Sequence, residues 1–179
     1  MQTVKMVVTG PFNSGKTAFI RSVSEIDVVS TERRITSRAE RVKSTTTVAM
    51  DFGRITVDED LMLYLFGTPG QKRFDFMWEI LSEGMLGFVV MVDSTRPETF
   101  REARSILETF RAYAPTPYVV AANKQDLKDA WEPDDLRIAL RLDSTVKLFP
   151  CIANDKEYVK KVLLQLLYTI LAGMGEGKS

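Results

Sequence analysis

The stretch Gly10-Pro11-Phe12-Asn13-Ser14-Gly15-Lys16-Thr17, preceded by an apolar run at residues 4–9, decides the fold. It fits the pattern G-x-x-x-x-G-K-[ST] and sits between an expected strand and an expected helix. Its two glycines let the backbone turn tightly, so that successive N–H groups face a polyphosphate. Lys16 then reaches the terminal phosphates as a mobile point charge. The Thr17 hydroxyl is the expected ligand of a magnesium ion, and the helix behind it offers its positive end to an anion. The candidate nucleotide-binding residues here are Gly10, Asn13, Ser14, Gly15, Lys16, Thr17 and Ala18. An ordinary glycine turn between strand and helix is the competing reading.

Outward from this loop, short β-rich runs alternate with longer helical periods, the pattern of a doubly wound α/β sheet. Strands are expected at 4–9, 47–57, 61–66, 87–93, 118–122 and 146–152. Asp58-Glu59-Asp60 forms a short acidic turn that makes 47–66 an antiparallel hairpin. Helices are expected at 17–24, 74–83, 97–113, 134–142 and 156–171. Residues 25–46 are rich in Ser, Thr, Glu and Arg without lasting periodicity, and read as a long surface loop. The run at 87–93 is almost wholly apolar, as a strand buried on both faces must be. One domain is expected over 1–173, with a flexible tail at 174–179.

Composition narrows the chemistry. Lys plus Arg equals Asp plus Glu, 24 each, so no net field draws the chain to nucleic acid or an acidic membrane. There is no histidine, which rules out histidine general bases, histidine zinc sites and serine–histidine triads. The single cysteine, Cys151, excludes an internal disulfide framework and suits a reducing cytoplasm. No apolar run approaches the length of a membrane span. The termini show no signal peptide, myristoylation glycine or prenylation cysteine, so no direct membrane anchor is expected.

A second motif specifies the base. Asn123-Lys124-Gln125-Asp126 follows the strand at 118–122, at the carboxyl edge where open α/β sheets bind ligands. This N-K-x-D sequence resembles the guanine-recognition motif of the Ras-like small GTPases. The resemblance implies that Asp126 accepts from the ring N–H and exocyclic amine of guanine, a donor pair that adenine lacks. Asn123 would fasten this loop to the phosphate loop, and the Lys124 stem would lie over the base. A polar turn capped by an aspartate is the plainer alternative. Phe66-Gly67-Thr68-Pro69-Gly70-Gln71-Lys72-Arg73-Phe74 looks like the W-D-T-A-G-Q-E-R-F segment of Rab-type members. By that likeness Gly70 gives its N–H to a γ-phosphate, and Gln71, with Lys16, is catalytic, orienting the attacking water. Thr47-Val48-Ala49-Met50-Asp51-Phe52-Gly53 resembles the family's T-I-G-V-D-F, which makes Thr47 a nucleotide contact and second magnesium ligand. Thr45 and Thr46 stay open as alternatives, and residues 30–47 become the first switch. Of the family's S-A-K loop only Ala153 matches, implying that its N–H binds the guanine oxygen.

Two departures qualify the likeness. Most Ras-like proteins carry an aspartate at the position of Gly67, where it holds a magnesium-bound water. Asp51, on the neighbouring strand, is a candidate replacement and metal-associated residue; an ordinary exposed strand carboxylate is the equal alternative. Phe12 replaces the glycine that leaves room for an activating arginine. Charge in cis from Arg38, Arg41 or Lys43 would compensate, although solvated loop charges are the plainer reading. In combination the motifs resemble a prokaryotic branch of the family related to the gliding-motility MglA type and to roadblock/LC7-associated proteins.

The implied protein is a P-loop NTPase of the Ras-like, three-layer α/β/α class. Its mostly parallel six-stranded sheet has the order 2-3-1-4-5-6 and one antiparallel edge strand. The resemblance further implies GTP and GDP as ligands with Mg²⁺, slow GTP hydrolysis, and switch-region protein partners. The chain is expected to be cytoplasmic and monomeric in isolation, with no nucleic-acid partner. A GTP-dependent binding module that barely hydrolyses is the alternative, and a P-loop kinase using ATP the third reading.

Overall fold

A computed structural model describes residues 1–36 and 45–176. The chain runs β1 (Gln2–Thr9), α1 (Lys16–Val23), β2 (Val29–Thr36), β3 (Thr45–Thr56), β4 (Leu61–Gly67), α2 (Phe76–Ser82), β5 (Gly87–Asp93) and α3 (Phe100–Tyr113). It continues with β6 (Tyr118–Asn123), α4 (Pro133–Ala139), β7 (Lys147–Pro150) and α5 (Lys156–Glu176). The strands form one sheet in the order β2-β3-β4-β1-β5-β6-β7. The six expected strands occur in their expected order, and β3 pairs antiparallel with β4 while β4, β1, β5, β6 and β7 run parallel.

The seventh strand is a correction. Residues 25–46 are not one loop, because β2 lies antiparallel along β3, with Val29 opposite Phe52 and Thr36 opposite Thr45. An edge strand is paired on one side only and tolerates charge, so Val-Ser-Thr-Glu-Arg-Arg-Ile-Thr carries no apolar alternation to announce it. At the other end, α5 continues to Glu176, into the stretch expected to be a tail.

Alternation along the central strands supplies two cores. Met6 and Val8 of β1 with Val89 and Met91 of β5 face α1 and α5, meeting Phe19, Ile20, Val162 and Leu166. The intervening Val7, Phe88, Val90 and Val92 face the other layer, where Trp78, Ile106, Phe110 and Leu136 cover them. Each such fully buried large side chain contributes about 1.5–3 kcal/mol, which holds the carboxyl edge of the sheet rigid. On that edge the order reverses at β1, which has β4 on one side and β5 on the other, and a crevice opens there. Among the described residues no helix is long and apolar enough to cross a membrane.

Candidate functional site

The phosphate loop leaves β1 where its last buried residue, Thr9, reaches the crevice. Gly15 takes φ 104° and Asn13 φ 63°, left-handed conformations that curl the loop back on itself. Gly15 is also in close quarters, since a Cβ there would meet Asn123 Cγ at 3.4 Å and Ala153 Cβ at 3.6 Å. The Phe19 N–H donates to Gly15 O at 2.9 Å and begins the α1 ladder. Lys16 is only 8% exposed, and its ammonium donates to Gly10 O (2.8 Å), Pro11 O (2.7 Å) and Ser14 Oγ (3.4 Å). Burial pulls its pKa down from 10.5 to about 8, with Asp51 and Glu102 acting the other way. The cation is thus held in the loop by carbonyl dipoles, at the position from which it reaches an anion.

Asp51 lies beside Gly67. The two residues are register partners across β3 and β4. A Cβ on Gly67 would meet Ile20 Cδ1 at 3.0 Å, Asp51 Cβ at 3.1 Å and Asp51 Oδ2 at 3.5 Å, so the Asp51 side chain already lies beside that position. Thr17 Oγ1 donates to Asp51 Oδ2 at 2.5 Å, which brings two hard oxygens together at the start of α1. Among the described residues no cluster of three or more carboxylates or thiols is gathered. A hydroxyl with one carboxylate suits Mg²⁺, which keeps several waters and takes its remaining ligands from phosphate. Thr47 lies on β3, and its side chain is outside the described residues. Thr45 and Thr46 share that position, while Arg38, Arg41 and Lys43 lie outside the described residues altogether.

A cleft of about 560 Å³ unites most of the candidates. Asn13, Gly15, Lys16, Thr17 and Ala18 line one side; Asp51, Gly70 and Gln71 line the other. Thr68 ties this second side to the end of β1 through its N–H to Val8 O (3.0 Å) and its hydroxyl to Thr9 Oγ1 (2.9 Å). Gly70 lies so close that a Cβ would meet Phe12 N and Cα at 2.7 Å and Lys16 Nζ at 2.9 Å. Gln71 is engaged elsewhere, because its Oε1 accepts from Arg73 Nε at 2.7 Å. Arg73 also lies 4.7 Å over the Phe74 ring. Phe12 stands 57% exposed at the rim of the cleft.

The residues expected to recognise the base form a second corner. Asn123, at the buried end of β6, donates from Nδ2 to Ser14 O (2.9 Å) and accepts at Oδ1 from the Ala153 N–H (2.9 Å). The Ala153 N–H, expected at a guanine oxygen, donates to Asn123 in this structure. Lys124 takes φ 64°, and its ammonium meets Asp93 Oδ2 at 2.6 Å. Burial opposes the ionisation of Asp93, but hydrogen bonds from Lys124 and Thr95 outweigh it and hold the carboxyl below its usual range. Gln125 Nε2 donates to Ser94 Oγ (2.9 Å) and Trp131 O (3.0 Å). Asp126 projects from this braced turn, exposed, and takes no hydrogen bond from the described residues. Cys151 is buried behind it; burial, then Asp155, pushes its pKa up to about 12. Asp93 and Arg73 escaped the sequence reading. A lone carboxylate ending the apolar run of β5 was the signal for Asp93, whereas nothing local marked Arg73.

Fold and site together define a P-loop nucleotide-binding domain of the Ras-like α/β class. The chain belongs to the family described as conserved hypothetical ATP binding proteins, whose model matches residues 26–173. That span begins after Gly10–Thr17 and includes the N-K-x-D loop. The chain is 33% identical over 126 residues to an uncharacterized protein of Methanocaldococcus jannaschii, covering 70% of this chain and 73% of the relative. It is 30% identical over 156 residues to the ADP-ribosylation factor-like protein 9 of Homo sapiens, covering 86% and 72% respectively. It is also 25% identical over 146 residues to the Ras-related protein SEC4 of Saccharomyces cerevisiae, covering 74% and 68%. These names place the chain among nucleotide-binding, small-GTPase-like proteins.

Proposed function

We propose that this protein is a guanine-nucleotide switch that binds GTP and GDP with Mg²⁺ and hydrolyses GTP slowly. One observation carries the reading: the Asn123 amide ties the N-K-x-D turn to the phosphate loop through Ser14 O and Ala153 N. That tie sets the exposed Asp126 carboxylate at a fixed span from Lys16. Guanine presents two donors to such a carboxylate, whereas adenine presents an acceptor and leaves the charge unsatisfied. The ATP in the family's description therefore does not extend to this chain in our reading.

Lys16 neutralises phosphate charge from inside the loop, and Gly70 faces the same space. A magnesium ion, when bound, supplies further neutralisation of the phosphates. Thr17 and Asp51 are the residues that fit it, with Thr47 as the other proposed ligand. Gln71 would orient a water only after its Oε1 leaves Arg73, and that requirement supports slow turnover. Phe12 at the rim narrows the path for an arginine brought by a partner. Phe76 (47% exposed) and Ile80 (56% exposed) on α2 support a partner-binding face beside Gln71. The motifs' resemblance to the MglA-like branch favours a roadblock-type partner for that face.

Single-turnover hydrolysis of bound GTP tests the reading. Phosphate release should be far below the roughly 10 s⁻¹ of an ordinary enzyme, and Gln71→Ala should slow it further. Rapid basal release would overturn the proposal of a slow switch. The Arg73–Gln71 bond and Phe12 also favour a second reading, a binding module that hydrolyses nothing; no release with or without a partner would select it.

A further inference from the structure

Trp78 packs beneath the switch segment and is only 5% exposed, with its ring centroid 6.0 Å from that of Phe110. Its indole Nε1 donates to Pro69 O at 2.9 Å in a buried hydrogen bond. Pro69 O and the Gly70 N–H belong to one peptide unit, and the described chain contains no cis peptide bond. In a planar trans unit the carbonyl and the N–H point in opposite directions. Gripping the oxygen from the α2 side therefore turns the Gly70 N–H away from α2. Gly70 itself lies against Phe12 and Lys16, as the contacts of a Cβ there show: 2.7 Å to Phe12 N and 2.9 Å to Lys16 Nζ. Among the described residues no group accepts from that N–H. A buried tryptophan usually finds some partner for its N–H, so satisfaction of the indole alone is the plainer explanation. It does not account for the choice of the carbonyl of the Pro69–Gly70 peptide, whose glycine lies against Phe12 and Lys16.

We propose that Trp78 is a positioning residue that sets the preference of this site for a nucleoside triphosphate over a diphosphate. It does so by holding the Pro69–Gly70 peptide with its N–H aimed at the terminal phosphate. The proposal rests on the reading that the cleft takes a guanine nucleotide with its γ-phosphate beside Gly70. It gives α2 a direct mechanical tie to the phosphate contact, since movement of the Trp78 ring moves the peptide plane.

The test is equilibrium binding of GDP and of a non-hydrolysable GTP analogue to the wild type, Trp78→Phe and Gly70→Ala, with Mg²⁺ present. Trp78→Phe keeps an apolar ring and loses the N–H. Its affinity for the GTP analogue should fall about three- to tenfold while its affinity for GDP is unchanged, the size expected for one buried neutral hydrogen bond. Equal losses for both nucleotides, or an unchanged ratio, would overturn the proposal and leave Trp78 as packing. Gly70→Ala separates this from failure of the underlying reading: if it too leaves the ratio unchanged, Gly70 does not meet the γ-phosphate and both fall. Should Trp78→Phe not fold, Trp131→Phe leaves Trp78 as the sole indole of the chain's two tryptophans. Its emission must then differ between the GTP-analogue and GDP complexes; identical emission would overturn the proposal.

Discussion

The corner proposed to read the base and the corner proposed to meet the γ-phosphate are built on different terms. At the base corner a buried amide bridges two loops, and a buried aspartate holds the lysine beside it. At the phosphate corner the glutamine leans on an exposed arginine, and a phenylalanine stands open at the rim. Buried hydrogen bonds stay made whether or not a ligand is present, so the first corner is assembled in advance. Exposed ones exchange with water at little cost, so Gln71 and Arg73 at the second corner rearrange readily, while the Pro69–Gly70 peptide behind them is held by the buried bond from Trp78. In the proposed switch, the rigid corner would select the nucleotide and the movable Gln71 side would respond to its state.

The comparison breaks most visibly at Asn123. Asn123→Ala strands two buried groups, Ser14 O and the Ala153 N–H, and should cost about 2–6 kcal/mol of stability at roughly 1–3 per group. Thermal or denaturant unfolding of the nucleotide-free protein measures this. A loss under 1 kcal/mol would mean that the corner is not preassembled. Asp51→Asn comes next. It keeps an acceptor for Thr17 but removes the charge, so the gain in nucleotide affinity on adding Mg²⁺ should shrink about tenfold. Titrations with Mg²⁺ and with EDTA check it, and an unaltered magnesium dependence would remove Asp51 from the metal site. The smallest effect belongs to Arg73→Ala. Releasing Gln71 from an exposed bond worth at most about 1 kcal/mol should raise single-turnover hydrolysis by no more than about fivefold. A fall in rate would instead make Arg73 a source of charge for the reaction.

Much of the rigid half was legible in the sequence, and little of the movable half. The run at 87–93 and the strand before Asn123 announce themselves because a strand buried on both faces must be apolar throughout. The phosphate loop follows the apolar run of β1, and the N-K-x-D loop follows β6. β2 was invisible for the converse reason: an edge strand of Ser, Thr, Glu and Arg satisfies its backbone by pairing and has no need of a patterned face. Asp93 ends an apolar run whose hydrophobicity marks the strand but says nothing of the lysine its carboxylate meets. The Ala153 N–H shows a deeper limit, since a motif match fixes a residue's place but not which atom its N–H meets. Arg73 and Trp78 act through single hydrogen bonds to Gln71 and Pro69, and bonds between side chains and distant backbone leave no periodicity to read.

Guanine recognition by the rigid corner is tested most directly by competition between GTP and ATP for the same site, read as displacement of labelled GDP with Mg²⁺ present. A site built to bond guanine's two donors rejects an analogue lacking them by a large factor, so GTP should displace the label at least about 10³-fold more effectively than ATP. Equal displacement, or ATP ahead of GTP, would contradict guanine recognition by Asn123–Asp126 and return this chain to the ATP named in its family's description.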